Sequence, residues 1–128
     1  MVLDSSALVA MVLEESGFET LLAKAEAAES IAIGAPTLLE TSIVLSRRLS
    51  SDARPRLMGY LHRMSAEVVA FSEEHYEAAV DAFLRYGKGR HPAKLNFGDC
   101  MSYAVASVAS LPLLYTGSDF SKTDIEAA

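Results

Sequence analysis

The chain has 128 residues, which fits a single domain spanning 1–128 and leaves little room for two independent cores. Hydrophobic residues make up 51% and charged residues 22%, with 4 prolines and 7 glycines, so a collagen-like, low-complexity or disordered chain is excluded. Eleven Lys and Arg against 17 Asp and Glu give a net charge of −6, which argues against holding nucleic acid by bulk charge alone.

Met1 to Leu3 is a short apolar run that stops at Asp4, and Ser5 and Ser6 lead into a run of helical character. That run holds the longest unbroken apolar stretch, Ala7 to Leu13, far short of the roughly 20 residues needed to cross a bilayer. With no export-like flank before it, the expectation is a soluble, cytoplasmic protein with no membrane association. Gly17 to Glu29 spaces Phe18, Leu21, Leu22 and Ala25 as one face of an amphipathic helix. Ser30 to Ala35 reads as a strand. Pro36, tolerated in a first helical turn, opens a helix to about Leu49. A polar Ser-Ser-Asp loop separates it from a helix carrying Leu57, Met58, Leu61 and Met64, so the two form a hairpin.

Glu67 to Phe71 supplies a third strand, and Ser72 with Glu73 and Glu74 offers a cap and an acidic first turn to the next helix. Tyr86 to Pro92, rich in glycine and basic groups, reads as a mobile connector. Phe97, Cys100, Met101, Ala104, Val105 and Val108 then recur at helical spacing, and Cys100 reads as a buried small hydrophobe. As the only cysteine, it excludes an internal disulfide and a multi-cysteine zinc site. Leu111 to Tyr115 makes a fourth strand, Thr116 to Asp119 a polar turn, and Ile125 the start of a frayed fifth strand. Apolar strands alternating with helices predict an α/β fold with a mainly parallel sheet.

Four acids stand out against this pattern. Asp4 follows the first strand, Glu40 lies one turn into the helix after the second, Asp99 opens a helix, and Asp119 follows the fourth strand. Carboxyl ends of parallel strands share one edge, where ligands bind, so these acids can converge although distant in sequence. Each also has a local reading: Asp4 as a helix cap, Asp99 beside the N-cap Asn96, Asp119 in a turn, Glu40 on a solvated face. Joined in one cleft they repel, and a divalent cation is the simplest relief. Oxygen-only donors suit Mg²⁺ or Mn²⁺, which also bind phosphate, and phosphodiester hydrolysis becomes the natural chemistry.

Val2-Leu3-Asp4-Ser5-Ser6-Ala7, Leu39-Glu40, Leu95-Asn96-Phe97-Gly98-Asp99-Cys100 and Leu113-Leu114-Tyr115-Thr116-Gly117-Ser118-Asp119-Phe120 resemble the motifs of PIN-domain ribonucleases of the VapC toxin type, in order and spacing across nearly the whole chain. The resemblance implies a three-layer α/β/α sandwich on a mainly parallel sheet of four to five strands. It implies a Mg²⁺- or Mn²⁺-dependent endoribonuclease, with Asp4, Glu40, Asp99 and Asp119 holding metal and activating water. Ser6 matches a hydroxyl position supporting that site, and Asp124 is expected to contribute to it from farther out. A homodimer and a VapB-like antitoxin that blocks the active-site groove are implied partners. Met101 stands where an aromatic is frequent, and Tyr115-Thr116 replaces the more usual Phe-Lys, which bears on how RNA phosphate is held.

Charge is unevenly spread. Arg47 to Arg56 holds four arginines and one acid, and Arg85 to Lys94 four cations and no acid. Arg85, Lys88, Arg90 and Lys94, followed by Arg47 and Arg48, are expected to offset the acidic site electrostatically and to bind RNA phosphate. His62 and His75 are expected on helix surfaces and His91 in the basic connector. Two rival functions are a phosphatase and a noncatalytic α/β interaction domain. A phosphatase forming an aspartyl intermediate wants a second acid close after Asp4, where Ser5-Ser6-Ala7 stand.

Overall fold

The computed structural model describes residues 1–128. In chain order the elements are β1 (Val2–Leu3), α1 (Ser5–Val12), α2 (Phe18–Glu26), β2 (Ala32–Gly34), α3 (Ala35–Leu49), α4 (Arg54–Arg63), β3 (Glu67–Val69), α5 (Glu73–Tyr86), α6 (Phe97–Ala109), β4 (Leu113–Leu114) and a short 3-10 turn at Phe120–Lys122. The strands form one parallel sheet in the order β3-β2-β1-β4, with Val2 paired to both Ala32 and Leu113. The predicted alternation is therefore borne out.

Side chains alternate across a strand, and here that alternation builds the layers. Leu3, Ile33 and Leu114 enter a core with Leu8 and Val12 of α1, Ala25 of α2, Leu45 of α3 and Leu57 and Leu61 of α4. Val2 and Leu113 point to the opposite face and pack with Ala82 of α5, Cys100, Tyr103, Val105 and Ala106 of α6, and Phe120. Four helices thus cover one face and two the other. Full burial of a leucine such as Leu45, Leu57 or Leu61 contributes about 1.5–3 kcal/mol, which is what pins the α3–α4 hairpin to the sheet. Gly34 ends β2 where α6 passes close: a Cβ there would sit 2.8 Å from the Val105 Cγ2, so any larger residue forces the helix outward.

The strands are shorter than the sequence suggests, for identifiable reasons. Pro112 has no N–H to give, so β4 starts at Leu113, and the Pro112 carbonyl instead accepts from Val2 at 2.8 Å. Beyond β3, the Ser72 N–H donates to the His75 Nδ1 at 3.1 Å in a capping box, which turns the chain into α5. His75 is thus buried against Phe71, not on the surface as expected. The fifth strand is reduced to a single parallel bridge between Leu113 and Ala127. Tyr86 to Pro92, expected as a mobile connector, folds back on itself: Lys88 N–H donates to the Leu95 carbonyl and Leu95 N–H to the Tyr86 carbonyl, each at 3.0 Å.

Connections β1→β2→β3 run outward on one side of β1, and the chain then crosses to place β4 on the other. The order reverses between β1 and β4, and the carboxyl ends of these two strands define the crevice where α/β folds bind ligands. No helix of the molecule is long and apolar enough to cross a membrane.

Candidate active site

Asp4 leaves β1 into that crevice and is 3% exposed. It caps α1: its Oδ2 accepts from the Ser6 N–H at 2.9 Å and from the Ser6 hydroxyl at 2.5 Å. The Ser6 Oγ in turn accepts from the Thr116 N–H at 3.0 Å, so one hydroxyl ties the end of β1 to the segment after β4. Capping uses only one carboxylate oxygen. The other, Asp4 Oδ1, is buried with no hydrogen-bond partner. A buried polar atom left unpaired costs about 1–3 kcal/mol, and native structures keep few of them.

Asp99 also combines a local and a convergent role. It occupies N3 of α6 in a capping box, accepting from the Asn96 N–H at 2.8 Å while its own N–H donates to Asn96 Oδ1 at 2.9 Å. Burial, together with the negative fields of Asp4, Asp119 and Glu40, raises its pKa to about 6, against the opposing Asn96 N–H bond. Glu40 on α3 is also raised, first by burial and then by Asp4, with the Ser5 side chain pulling it back. Its carboxylate lies against Gly98: a Cβ at that glycine would fall 2.6 Å from Glu40 Oε2. The first turn of α6 thus leaves room for a carboxylate from another helix. Asp119 is exposed at the start of the 3-10 turn, within charge reach of Asp99.

Asp4, Glu40 and Asp119 each act on the charge of Asp99, and Asp4 also on Glu40, so the four share one electrostatic field, although no three of them lie close enough to form a metal-holding group. The donor set fits Mg²⁺ or Mn²⁺: oxygens only, with one buried acceptor, Asp4 Oδ1, unsatisfied by protein. Mg²⁺ keeps several of its waters, so one or two of these carboxylates suffice as direct ligands.

Two of the other predicted residues are placed away from this cluster, and they hold each other. Asp124 accepts from the Tyr103 hydroxyl at 2.6 Å and from Arg85 Nη2 at 2.8 Å. It is absent from the charges acting on Asp99. Arg85 also donates to the Tyr86 hydroxyl at 2.7 Å, so it is less available to RNA than its place in the basic run suggests. Of the secondary candidates, Arg48 is paired with Glu15 at 2.7 Å, whereas Arg47 shares a hollow between α3 and α6 with Glu40 and Gly98. Lys88, Arg90 and Lys94 remain exposed. Sequence reading missed the closeness of Ser5 to Glu40 and the exposed Lys122, three residues beyond Asp119 in the motif already singled out.

A doubly wound parallel sheet with acids from the ends of β1 and β4 and the starts of α3 and α6 is the build of a PIN domain, and the PIN domain family matches residues 1–126. The chain belongs to that family and, within it, to the VapC ribonucleases. It is 47% identical over 127 residues to Ribonuclease VapC36 of Mycobacterium tuberculosis, covering 98% of this chain and 91% of that one. It is 44% identical over 128 residues to Ribonuclease VapC of Mycolicibacterium smegmatis, covering 99% and 98%. Among solved structures, the fold resembles that of VapC20 of Mycobacterium tuberculosis, a sarcin-ricin loop cleaving toxin, with a TM-score of 0.79 at 18% identity over 99% of this chain and 97% of that one. A toxin–antitoxin complex from Klebsiella pneumoniae gives 0.69 at 21% identity, over 96% and 92%.

Proposed function

We propose that this chain is a Mg²⁺- or Mn²⁺-dependent endoribonuclease, the toxin of a toxin–antitoxin pair, that hydrolyses RNA phosphodiester bonds at the cleft of Asp4, Glu40, Asp99 and Asp119. The observation that carries this reading is the buried, unpartnered Asp4 Oδ1, whose carboxylate adds to the burial that raises the pKa values of Asp99 and Glu40. When bound, the cation supplies Lewis acidity and neutralises charge on a phosphoryl oxygen. The protein supplies position. Ser6 fixes the Asp4 carboxylate and, through Thr116, the segment leading to Asp119. The α6 capping box fixes Asp99, and the space above Gly98 admits Glu40. Carboxylates held this way are oriented before substrate arrives, so less reorganisation is left to the reaction.

The ribonuclease names of relatives at 44–47% identity support the RNA substrate. Likeness to the Klebsiella pneumoniae complex supports a VapB-like antitoxin. A homodimer accords with the apolar side chains left in solvent on α3, α5 and α6: Leu39, Ile43, Val80, Phe83 and, at 79% exposure, Phe97. A ribonuclease acting on cellular RNA would work in the cytoplasm. The phosphatase alternative is weaker, because Ser6, not a second acid, stands beside Asp4 and is spent on holding it.

Purified protein incubated with pooled cellular RNA is expected to cut it with Mg²⁺ or Mn²⁺ and not with a chelator, and to leave small phosphate monoesters intact. Release of phosphate from monoesters with RNA untouched would favour the phosphatase.

A further inference from the structure

The cations near the site differ in what already holds them. Arg85 is taken by Asp124 and Tyr86, Arg48 by Glu15 and Arg54 by Asp52, while Arg56 donates to the Val12 carbonyl. Lys88 and Lys94 have no acidic partner, and Arg90 is held only through its guanidinium over the Phe83 ring, 5.5 Å from its centre. These three line a single hollow of about 500 Å³, with Gly89, His91 and Pro92 and no apolar side chain apart from that proline.

The loop that shapes this hollow is built, not slack. Gly87 bridges Leu95 at its base, the Arg90 and His91 N–H groups both donate to the Gly87 carbonyl, and Gly89 supplies the left-handed turn at φ +84°. His91 Nδ1 accepts from the Ala93 N–H at 3.1 Å, which leaves Nε2 to carry the proton as a donor. The hollow thus presents cations and a neutral donor and no acid, which suits a phosphate anion.

Its location ties it to the acidic cleft from two directions. Lys94 is two residues before Asn96, the cap of the helix that carries Asp99. From the other side, Lys122 Nζ donates to the Pro92 carbonyl at 3.4 Å, so the turn that starts at Asp119 touches the loop itself. No cation is among the groups acting on the Asp99 charge. Lys88, Arg90 and Lys94, without acidic partners, are open to an external anion.

We infer that Lys88, Arg90, His91 and Lys94, with Lys122 at the rim, bind an RNA backbone phosphate next along the strand from the one being cleaved, and so set where the strand enters the cleft. This rests on the nuclease reading above and adds a second phosphate site to it. Backbone contacts of this kind fix register without reading bases.

The test compares wild-type protein, Lys88→Gln/Arg90→Gln/Lys94→Gln, Lys122→Gln and, as a control, Arg85→Gln. It uses a labelled single-stranded RNA across a salt series with Ca²⁺ in place of Mg²⁺, then cleavage of that RNA and of a dinucleotide with Mg²⁺. Each phosphate contact removed is expected to reduce the slope of log affinity against log salt by about 0.7. KM for the long RNA should rise roughly tenfold or more with kcat nearly kept, and the dinucleotide, whose only phosphate fills the cleft, should be cut equally by all forms. Arg85→Gln should leave the slope unchanged. An unaltered slope and KM in the lysine and Arg90 variants, with wild type still cutting RNA, overturns the inference. So does weakened antitoxin binding alone, which assigns the hollow to a protein. Wild-type protein that cuts no RNA removes the nuclease reading first.

Discussion

Asp4→Asn is expected to lower RNA cleavage at least roughly a hundredfold while making the metal-free protein more stable, a pairing of effects that a simple folding defect cannot produce. The loss follows from removing one fixed negative group from the position where the cation and phosphate meet, for which a factor of about 10²–10³ is typical of a preorganised electrostatic group. The gain follows from the same group. The neutral amide removes the Asp4 charge that acts on both Glu40 and Asp99, while the remaining oxygen keeps accepting from the Ser6 N–H. Relief of that like-charge repulsion amounts to about 1 kcal/mol, or a few degrees in Tm for a chain of this size. Calorimetry in chelator and a cleavage assay in Mg²⁺ check both halves. A variant that loses activity and also melts well below wild type in chelator shows that Asp4 is chiefly a helix cap.

The second large effect concerns Asp99 and pH. Its folded-state pKa of about 6 lies above the ordinary 3.8, raised by burial and by Asp4, Asp119 and Glu40. The sign is fixed by linkage: in metal-free protein the protonated form is favoured by folding, so the contribution to stability is fully present below about pH 4 and is lost as pH rises through about 6. Wild type minus Asp99→Asn stability should therefore fall between pH 4 and pH 7 in chelator. With Mg²⁺ most of that loss is offset at pH 7, because a cation that binds the folded, deprotonated site stabilises it by RT ln(1 + [L]/Kd), about 2.7 kcal/mol at a hundredfold excess over Kd. Thermal melts of both proteins from pH 4 to 8, with and without Mg²⁺, give the comparison. Parallel curves under all conditions would mean that Asp99 titrates outside any shared acidic cleft.

How far the sequence carries this picture depends on the range of each interaction. Helical spacing and strand–helix alternation are local, and they place every main helix and all four strands, because burial of a stripe or a strand face demands its own period. The acids at strand ends are legible for the same reason: in a parallel sheet, the residue after a strand is bound to reach the shared edge. Asp4 and Asp99 show why single-residue reasoning stalls, since each serves both as a local cap and in the cluster. What depends on contacts between distant segments stays hidden. The sheet order and the β1/β4 reversal are of this kind. So is the pairing of Arg85 with Asp124 across 39 residues, which takes one expected phosphate contact and one expected acid away from the cleft together. His75 misleads because its helix position looks exposed, while its ring turns back to close the capping box. The glycines of the basic loop suggest slack chain, yet two of them build the turn that holds it.

Mn²⁺ titration of the purified protein, followed by electron paramagnetic resonance of the free ion, addresses the acidic cleft without relying on any RNA. Saturable uptake at neutral pH that falls at least tenfold in affinity in Asp4→Asn and in Asp99→Asn is the predicted result. Uptake that is the same in all three proteins, or none by wild type at millimolar Mn²⁺, contradicts the assignment of these carboxylates to a divalent cation.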